Sequence, residues 1–334
     1  MQSLLSLVPG GPETLQLTNL PEPIPGPGQV LVRIVACALN FPDSLIIEDR
    51  YQYKPARPFA PGAEIAGVVQ ALGEGVEGLR VGDRVFAMPG WGGLSELIAI
   101  DAAKCFPLPT DVPFEHGAAL IMTYGTAYHA LVQRAMLAPG ETVLVMGAAG
   151  GVGLAAIELA KAMGARVVAA ASSQEKLEIA RQHGADETVL YPRGALEKDA
   201  KRELVERLKA ACGDGADVVV DSVGGDLTEA ALRAVAWNGR LLIIGFPAGI
   251  SRLATNLLLL KGASAIGVFY GRFTEVEAQE DRANMQALLD LYRQGKIKPC
   301  IARRFPLEEG GAAISAMLEP GAYGKIVVDV GHRP

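Results

Sequence analysis

The sequence predicts an α/β protein with two domains: a β-barrel-like domain and a doubly wound parallel sheet. Three observations predict it. An apolar run, a glycine-rich turn and a helical pattern follow one another without a gap from Thr142 to Gly164. Apolar strand-like runs and helical patterns then alternate as far as Tyr270, as parallel βα units require. Before residue 121, long helical patterns are scarce and short strand-like runs are separated by Gly and Pro clusters.

The first part of the chain holds the predicted strands 30–36, 65–71, 84–88 and 94–100, with Pro21, Pro23, Pro25 and Pro27 before the first of them. From His116 the texture becomes alanine-rich helix, broken at Gly125 and resumed to Met136. The run Val143–Met146 suits a strand buried on both faces. Leu154–Met163 reads as a helix closed by Gly164, where a left-handed cap costs glycine least. Predicted strands follow at 167–171, 187–191, 218–221 and 240–245, and 264–270 reads as an edge strand. Helices are predicted at 174–182, 200–211, 227–236 and 277–294, and a last strand at 325–330.

The glycine turn carries the chemistry. Its flanking strands make 142–171 the first half of a dinucleotide-binding fold. Gly150 lets the backbone approach a pyrophosphate, Gly153 lets the helix pack on its strand, and the helix N-terminus offers N–H groups to phosphate. The pattern departs from G-x-G-x-x-G in having Ala148 at the first glycine.

Composition narrows the function. The chain has 334 residues, 50% hydrophobic and 20% charged, which is core-rich and long enough for about two domains. A formal net charge of −6 disfavours nucleic acid as a partner. The four cysteines show no C-x-x-C spacing, which suits a reducing compartment. No apolar stretch approaches the ~18 residues of a membrane span, and Pro9, Gly10 and Gly11 interrupt any signal-like start; the expected location is the cytoplasm. The four histidines share no ligand or triad spacing, and Ser222 and Ser251 lie in no G-x-S-x-G context.

Several motifs in order carry a resemblance: Asn40-Phe41-Pro42-Asp43, Pro61-Gly62-Ala63-Glu64-Ile65-Ala66-Gly67, Gly82-Asp83-Arg84-Val85, Tyr124-Gly125-Thr126-Ala127, the glycine loop, and Gly324-Lys325-Ile326-Val327. Over its whole length the chain resembles the medium-chain dehydrogenase/reductase superfamily, in its zinc-independent NADPH:quinone oxidoreductase (zeta-crystallin-like) branch. The resemblance implies a GroES-like catalytic domain, 1–121 with 272–334, and a Rossmann NADPH-binding domain, 122–271. It also implies a homodimer paired through the edge strand. The zinc relatives place histidine in G-H-E and cysteine upstream. Here Ala63 and Asn40 stand at those positions, so no metal is expected.

A site without a Lewis acid needs a substrate that is already electrophilic, a quinone or an enone. The resemblance implies Asn40 and Tyr51 facing the nicotinamide, with Asp43 supporting the turn between them. Leu45 replaces a second tyrosine found in some relatives. For the cofactor it implies contacts from Thr126, from Ala149, Gly150, Gly151, Val152 and Gly153, from Tyr191, from Gly245 and Phe246 at a strand end, and from Phe269. About 20 residues beyond the glycine turn, where NAD-binding folds place an acid, stand Ser172 and Ser173, with Lys176 within reach. That absence of an acid points to NADPH. Ser173 also reads as a helix cap. An NADPH-dependent alkene reductase and a non-catalytic, crystallin-like NADPH-binding protein are the rival readings.

Overall fold

The computed structural model describes residues 1–194 and 196–331; His332 lies outside them. The chain forms two compact units, Met1–Met122 with Pro299–Pro334, and Thr123–Lys298.

The first unit begins with the antiparallel pair β1 (Gln2–Leu5) and β2 (Gln16–Asn19). Next come β3 (Gln29–Ala38), α1 (Phe41–Ile47), β4 (Glu64–Leu72), β5 (Arg84–Ala87), β6 (Leu97–Asp101), β7 (Cys105–Pro107) and α2 (Phe114–Ala118). β3 is the spine of this unit. It pairs antiparallel with both β4 and β6, and its last residues pair with the strand that returns at the end of the chain. A strand with neighbours on several sides is buried on both faces, which explains why Val30–Ala38 reads as a nearly unbroken apolar run. Its side chains join Leu4, Ile65, Val85 and Leu94 in one core.

The second unit contains α3 (Thr126–His129), β8 (Thr142–Met146), α4 (Gly151–Ala162), β9 (Arg166–Ala171), α5 (Gln174–Gln182), β10 (Glu187–Leu190) and α6 (Lys198–Cys212). It continues with β11 (Ala216–Asp221), α7 (Gly225–Arg233), β12 (Val235–Ile243), α8 (Thr255–Lys261), β13 (Ser264–Gly267), α9 (Tyr270–Val276) and α10 (Ala278–Arg293). Its strands lie in the order β10-β9-β8-β11-β12-β13, all parallel. The order reverses direction between β8 and β11, the place where such sheets bind ligands at the carboxyl ends of their strands. The chain then returns to the first unit as β14 (Ile301–Pro306), α11 (Gly310–Leu318) and β15 (Lys325–Asp329).

Three expectations need correction. The predicted edge strand 264–270 stops at Gly267, because Tyr270 turns inward, is buried and donates its hydroxyl to Asp281 at 2.8 Å. Residues 272–298 belong to the second unit and not to the catalytic domain, since α10 is tied there by that bond and by Gln133 to Asn284 at 3.0 Å. The alanine-rich stretch after His116 is not one broken α-helix; it contains wide π-turns at Ile121–Gly125 and Ala130–Arg134. Propensity predicts helix there without distinguishing its pitch.

Candidate active site and cofactor-binding loop

In the second unit the glycine turn joins β8 to α4. The tight bend falls on Gly147, with φ +73°, one residue before the position where the sequence pattern lacks its first glycine. A Cβ there would lie 2.7 Å from Val223 Cγ2 and 2.8 Å from Ser222 Oγ, so Gly147 replaces the missing glycine in function. At Gly153 a Cβ would approach the Gly147 carbonyl oxygen to 2.3 Å and the Ala148 oxygen to 2.7 Å. Gly150 is exposed and caps α4. The N–H groups of Gly151, Val152 and Gly153 in the first helical turn have no intrahelical acceptors. Ala149, like Ala148, is buried beneath the turn. The rim of the turn thus offers backbone N–H groups, a geometry that suits an anion.

Two residues absent from the sequence expectations shape this region. Asp221, buried at the end of β11, accepts from the Val223 and Gly224 N–H groups, both at 3.0 Å, and fixes the loop that backs Gly147. Arg193 donates from Nε to Ser172 Oγ at 3.1 Å. Lys176 is lowered from its ordinary range by burial and by the Arg193 guanidinium, so the two cations are neighbours. Ser173 caps α5, accepting from the Lys176 N–H at 3.3 Å. The end of β9 therefore presents Ser172, Lys176 and Arg193 together, while the adjacent Glu175 carboxylate turns back onto its own N–H and the Ser173 hydroxyl. Tyr191 is buried, its hydroxyl takes the Gly147 N–H, and burial with Asp221 pushes it up to about 12 against the opposing Arg193 guanidinium. It supports the turn from below. Thr126 is buried in α3, Gly245 is half-buried, and Phe246 and Phe269 are 44% and 45% exposed.

In the first unit, Asn40 is the N-cap of α1 and Asp43 its third residue. The two stand at the spacing of a capping box. Asp43 Oδ2 accepts the Asn40 N–H at 2.7 Å, while Asp43 Oδ1 accepts the Gly62 N–H at 3.0 Å. This ties α1 to the Pro61–Gly62 turn. The Asn40 side chain points inward instead. Its Oδ1 accepts from Lys325 Nζ at 2.7 Å and its Nδ2 donates to Glu64 Oε1 at 2.9 Å. Lys325 also donates to Glu64 Oε1 and to the Leu39 carbonyl, each at 2.7 Å. Glu64 Oε2 accepts the Met122 N–H at 2.8 Å. Asn40, Glu64 and Lys325 are all buried. Both Nδ2 hydrogens of Asn40 therefore have acceptors: one bonds Glu64, and the other makes a long bond to the Ala38 carbonyl at 3.4 Å, at the weak end of the N–H···O range.

Tyr51 packs on the small cluster of Ile46, Ile47 and Phe59. Burial, Tyr53 and Asp43 raise its phenol above the ordinary range, so it stays protonated at neutral pH. Tyr53, unnoticed in the sequence, lies with its ring 5.9 Å from that of Tyr51, so the loop carries a second tyrosine although Leu45 is not one. Among the described residues, no group of three or more His, Cys, Asp or Glu is disposed to hold a metal ion.

Comparison with known proteins gives this geometry its context. Residues 151–290 match the zinc-binding dehydrogenase family and residues 26–110 the alcohol dehydrogenase GroES-like domain. The chain is 38% identical to quinone oxidoreductase-like protein 2 of Bos taurus over 93% of its own length and 87% of that protein. The chain belongs to the quinone oxidoreductases of the medium-chain dehydrogenase/reductase family. It is 33% identical to the quinone oxidoreductase of Homo sapiens, over 96% of this chain and 94% of that one. Among solved structures, the Escherichia coli quinone oxidoreductase complexed with NADPH matches with a TM-score of 0.88 and 28% identity, covering 99% of this chain and all of that one. The first unit is the GroES-like part and the second the Rossmann part of this quinone oxidoreductase-family chain. No helix among the described residues is long and apolar enough to cross a membrane.

Proposed function

We propose that this chain is an NADPH-dependent oxidoreductase whose substrate is a quinone or a similar α,β-unsaturated carbonyl compound. The observation that carries the cofactor choice is the group Ser172, Lys176 and Arg193 at the end of β9. Two cations and a hydroxyl fit a ribose phosphate, and the strand end itself carries serines where an acid usually binds a bare 2′-OH. The match to a quinone oxidoreductase complexed with NADPH supports the same choice.

When bound, NADPH supplies the hydride. The backbone N–H groups of Gly151, Val152 and Gly153 hold the pyrophosphate at the positive end of α4. Ser172, Lys176 and Arg193 hold the ribose phosphate. Thr126, Gly245, Phe246 and Phe269 bound the rest of the cofactor. The second Asn40 Nδ2 hydrogen and the Tyr51 hydroxyl donate to the substrate carbonyl oxygen, where negative charge accumulates during reduction. Tyr51 then gives that oxygen its phenolic proton. Asp43 keeps α1 and the Gly62 turn in place while this happens.

The enzyme acts as a homodimer in the cytoplasm. β13 is an outermost strand, and Trp237, Leu259 and Leu260 near it are 71%, 81% and 70% exposed, an unprotected edge that pairing would cover. Light scattering should give twice the 35.1 kDa chain mass. The activity is tested by NADPH oxidation with quinones, enones and enoyl thioesters. Quinones should be reduced fastest; oxidation with none of the three would leave only NADPH binding.

A further inference from the structure

We propose that Lys325 and Glu64 are positioning residues for the reduction: together they lock the Asn40 amide so that its second N–H, held only by a long bond to the Ala38 carbonyl, is the one a substrate carbonyl takes over. The inference rests on the reading of Asn40 as a carbonyl donor. Three side chains close a hydrogen-bonded ring. Lys325 Nζ bonds both Asn40 Oδ1 and Glu64 Oε1 at 2.7 Å, and Asn40 Nδ2 bonds the same Glu64 oxygen at 2.9 Å.

The chemistry of the ring permits a single amide orientation. An ammonium only donates and a carboxylate only accepts. Flipping the amide would set its NH₂ against the ammonium and its oxygen against the carboxylate, losing two charge-assisted bonds together. All three ammonium hydrogens are used, the third by the Leu39 carbonyl. Glu64 is anchored at its other oxygen by the Met122 N–H. The weakest bond of the group is the one from the second hydrogen on Asn40 Nδ2 to the Ala38 carbonyl, at 3.4 Å, and a substrate carbonyl would displace it.

Stability alone does not account for this arrangement. Lys325 and Glu64 are 3% and 0% exposed, and buried ion pairs are often replaced by uncharged residues without loss of stability. What the pair adds is orientation. The ring also draws on the far ends of the unit, since Lys325 opens β15 while Glu64 opens β4.

The test is a mutant cycle read with 1,4-benzoquinone and NADPH, using Asn40→Ala, the pair Lys325→Met/Glu64→Gln, and all three together. The pair removes both charges, so no lone buried charge compromises folding. Asn40→Ala should lower kcat about a hundredfold, the scale of losing one donor to a developing oxyanion. The pair should lower kcat roughly tenfold or more, with the NADPH dissociation constant within about twofold of wild type. The triple variant should be no worse than Asn40→Ala, because residues that act as a unit are non-additive. Losses that multiply, or a pair with wild-type kcat, would overturn the positioning role while leaving Asn40 in place. An Asn40→Ala enzyme with wild-type kcat would overturn the donor reading itself, and the inference with it.

Discussion

Arg193 Nε donates to Ser172 Oγ at 3.1 Å, which ties the segment after β10 to the carboxyl end of β9. The bond brings a guanidinium beside Lys176 at the point where a nucleotide specificity group sits in this fold. Removing either cation should therefore act on one cofactor only. Lys176→Ala and Arg193→Ala should each weaken NADPH roughly ten- to a hundredfold, as expected for one charge-assisted bond of about 1.5–3 kcal/mol. NADH should be nearly unaffected. Titration of both cofactors against both variants checks this, and equal losses would mean the residues serve the fold.

Gly153→Ala should abolish binding of either cofactor. Its Cβ would meet the Gly147 and Ala148 carbonyl oxygens at 2.3 and 2.7 Å, and both are backbone atoms that move only if the turn moves. The expected result is lost NADPH binding with a lowered melting temperature.

Asp43 predicts a pH dependence of stability. Burial lifts its carboxyl from 3.8 to about 6, with Glu64 adding to the rise; the Asn40 and Gly62 N–H groups and the Lys325 ammonium oppose it. The neighbouring Cys37 thiol is itself raised by burial and stays neutral, and so does the Tyr51 phenol. The folded state holds the proton more tightly than the unfolded one. The contribution of this group is thus fully present below about pH 4 and is lost as pH rises through about 6, amounting to roughly 3 kcal/mol. Wild type minus Asp43→Asn, measured by denaturant unfolding across that window, should show this falling slope.

Glu158 on α4 is a shared acceptor. It takes the Tyr124 hydroxyl and His183 Nδ1, each at 2.6 Å, and the Lys298 N–H at 2.8 Å. Tyr124 and Lys298 stand near the two ends of the second unit's chain. Replacing Glu158 by Ala removes the carboxylate from three donors and should destabilise that unit by about 3 kcal/mol. Chemical denaturation followed by far-UV circular dichroism measures it.

The legible parts of the molecule were those whose physics is local. An apolar run, a glycine turn and a capped helix occupy adjacent residues, so β8, α4, β9 and α5 could be read with ends correct to within a few residues. Asp43 entered through the family resemblance, and its bond to the Asn40 N–H three positions away is local. Lys325 was not legible: it meets Asn40 across 285 residues of chain, and nothing near Gly324 signals a buried ammonium. Arg193 escaped for a similar reason, since its partner Ser172 lies just past the end of β9, across the intervening helix α5. Tyr270 misled because an aromatic at the end of an apolar run reads as strand, whereas its hydroxyl had a buried partner in Asp281.

The central claim, that this chain uses NADPH to reduce quinones, is tested most directly by kcat/KM for 1,4-benzoquinone reduction with NADPH and with NADH. The account predicts turnover with both and a preference for NADPH of at least about tenfold, the worth of one charge-assisted bond to the extra phosphate. A preference for NADH, or no quinone reduction with either cofactor, would contradict it.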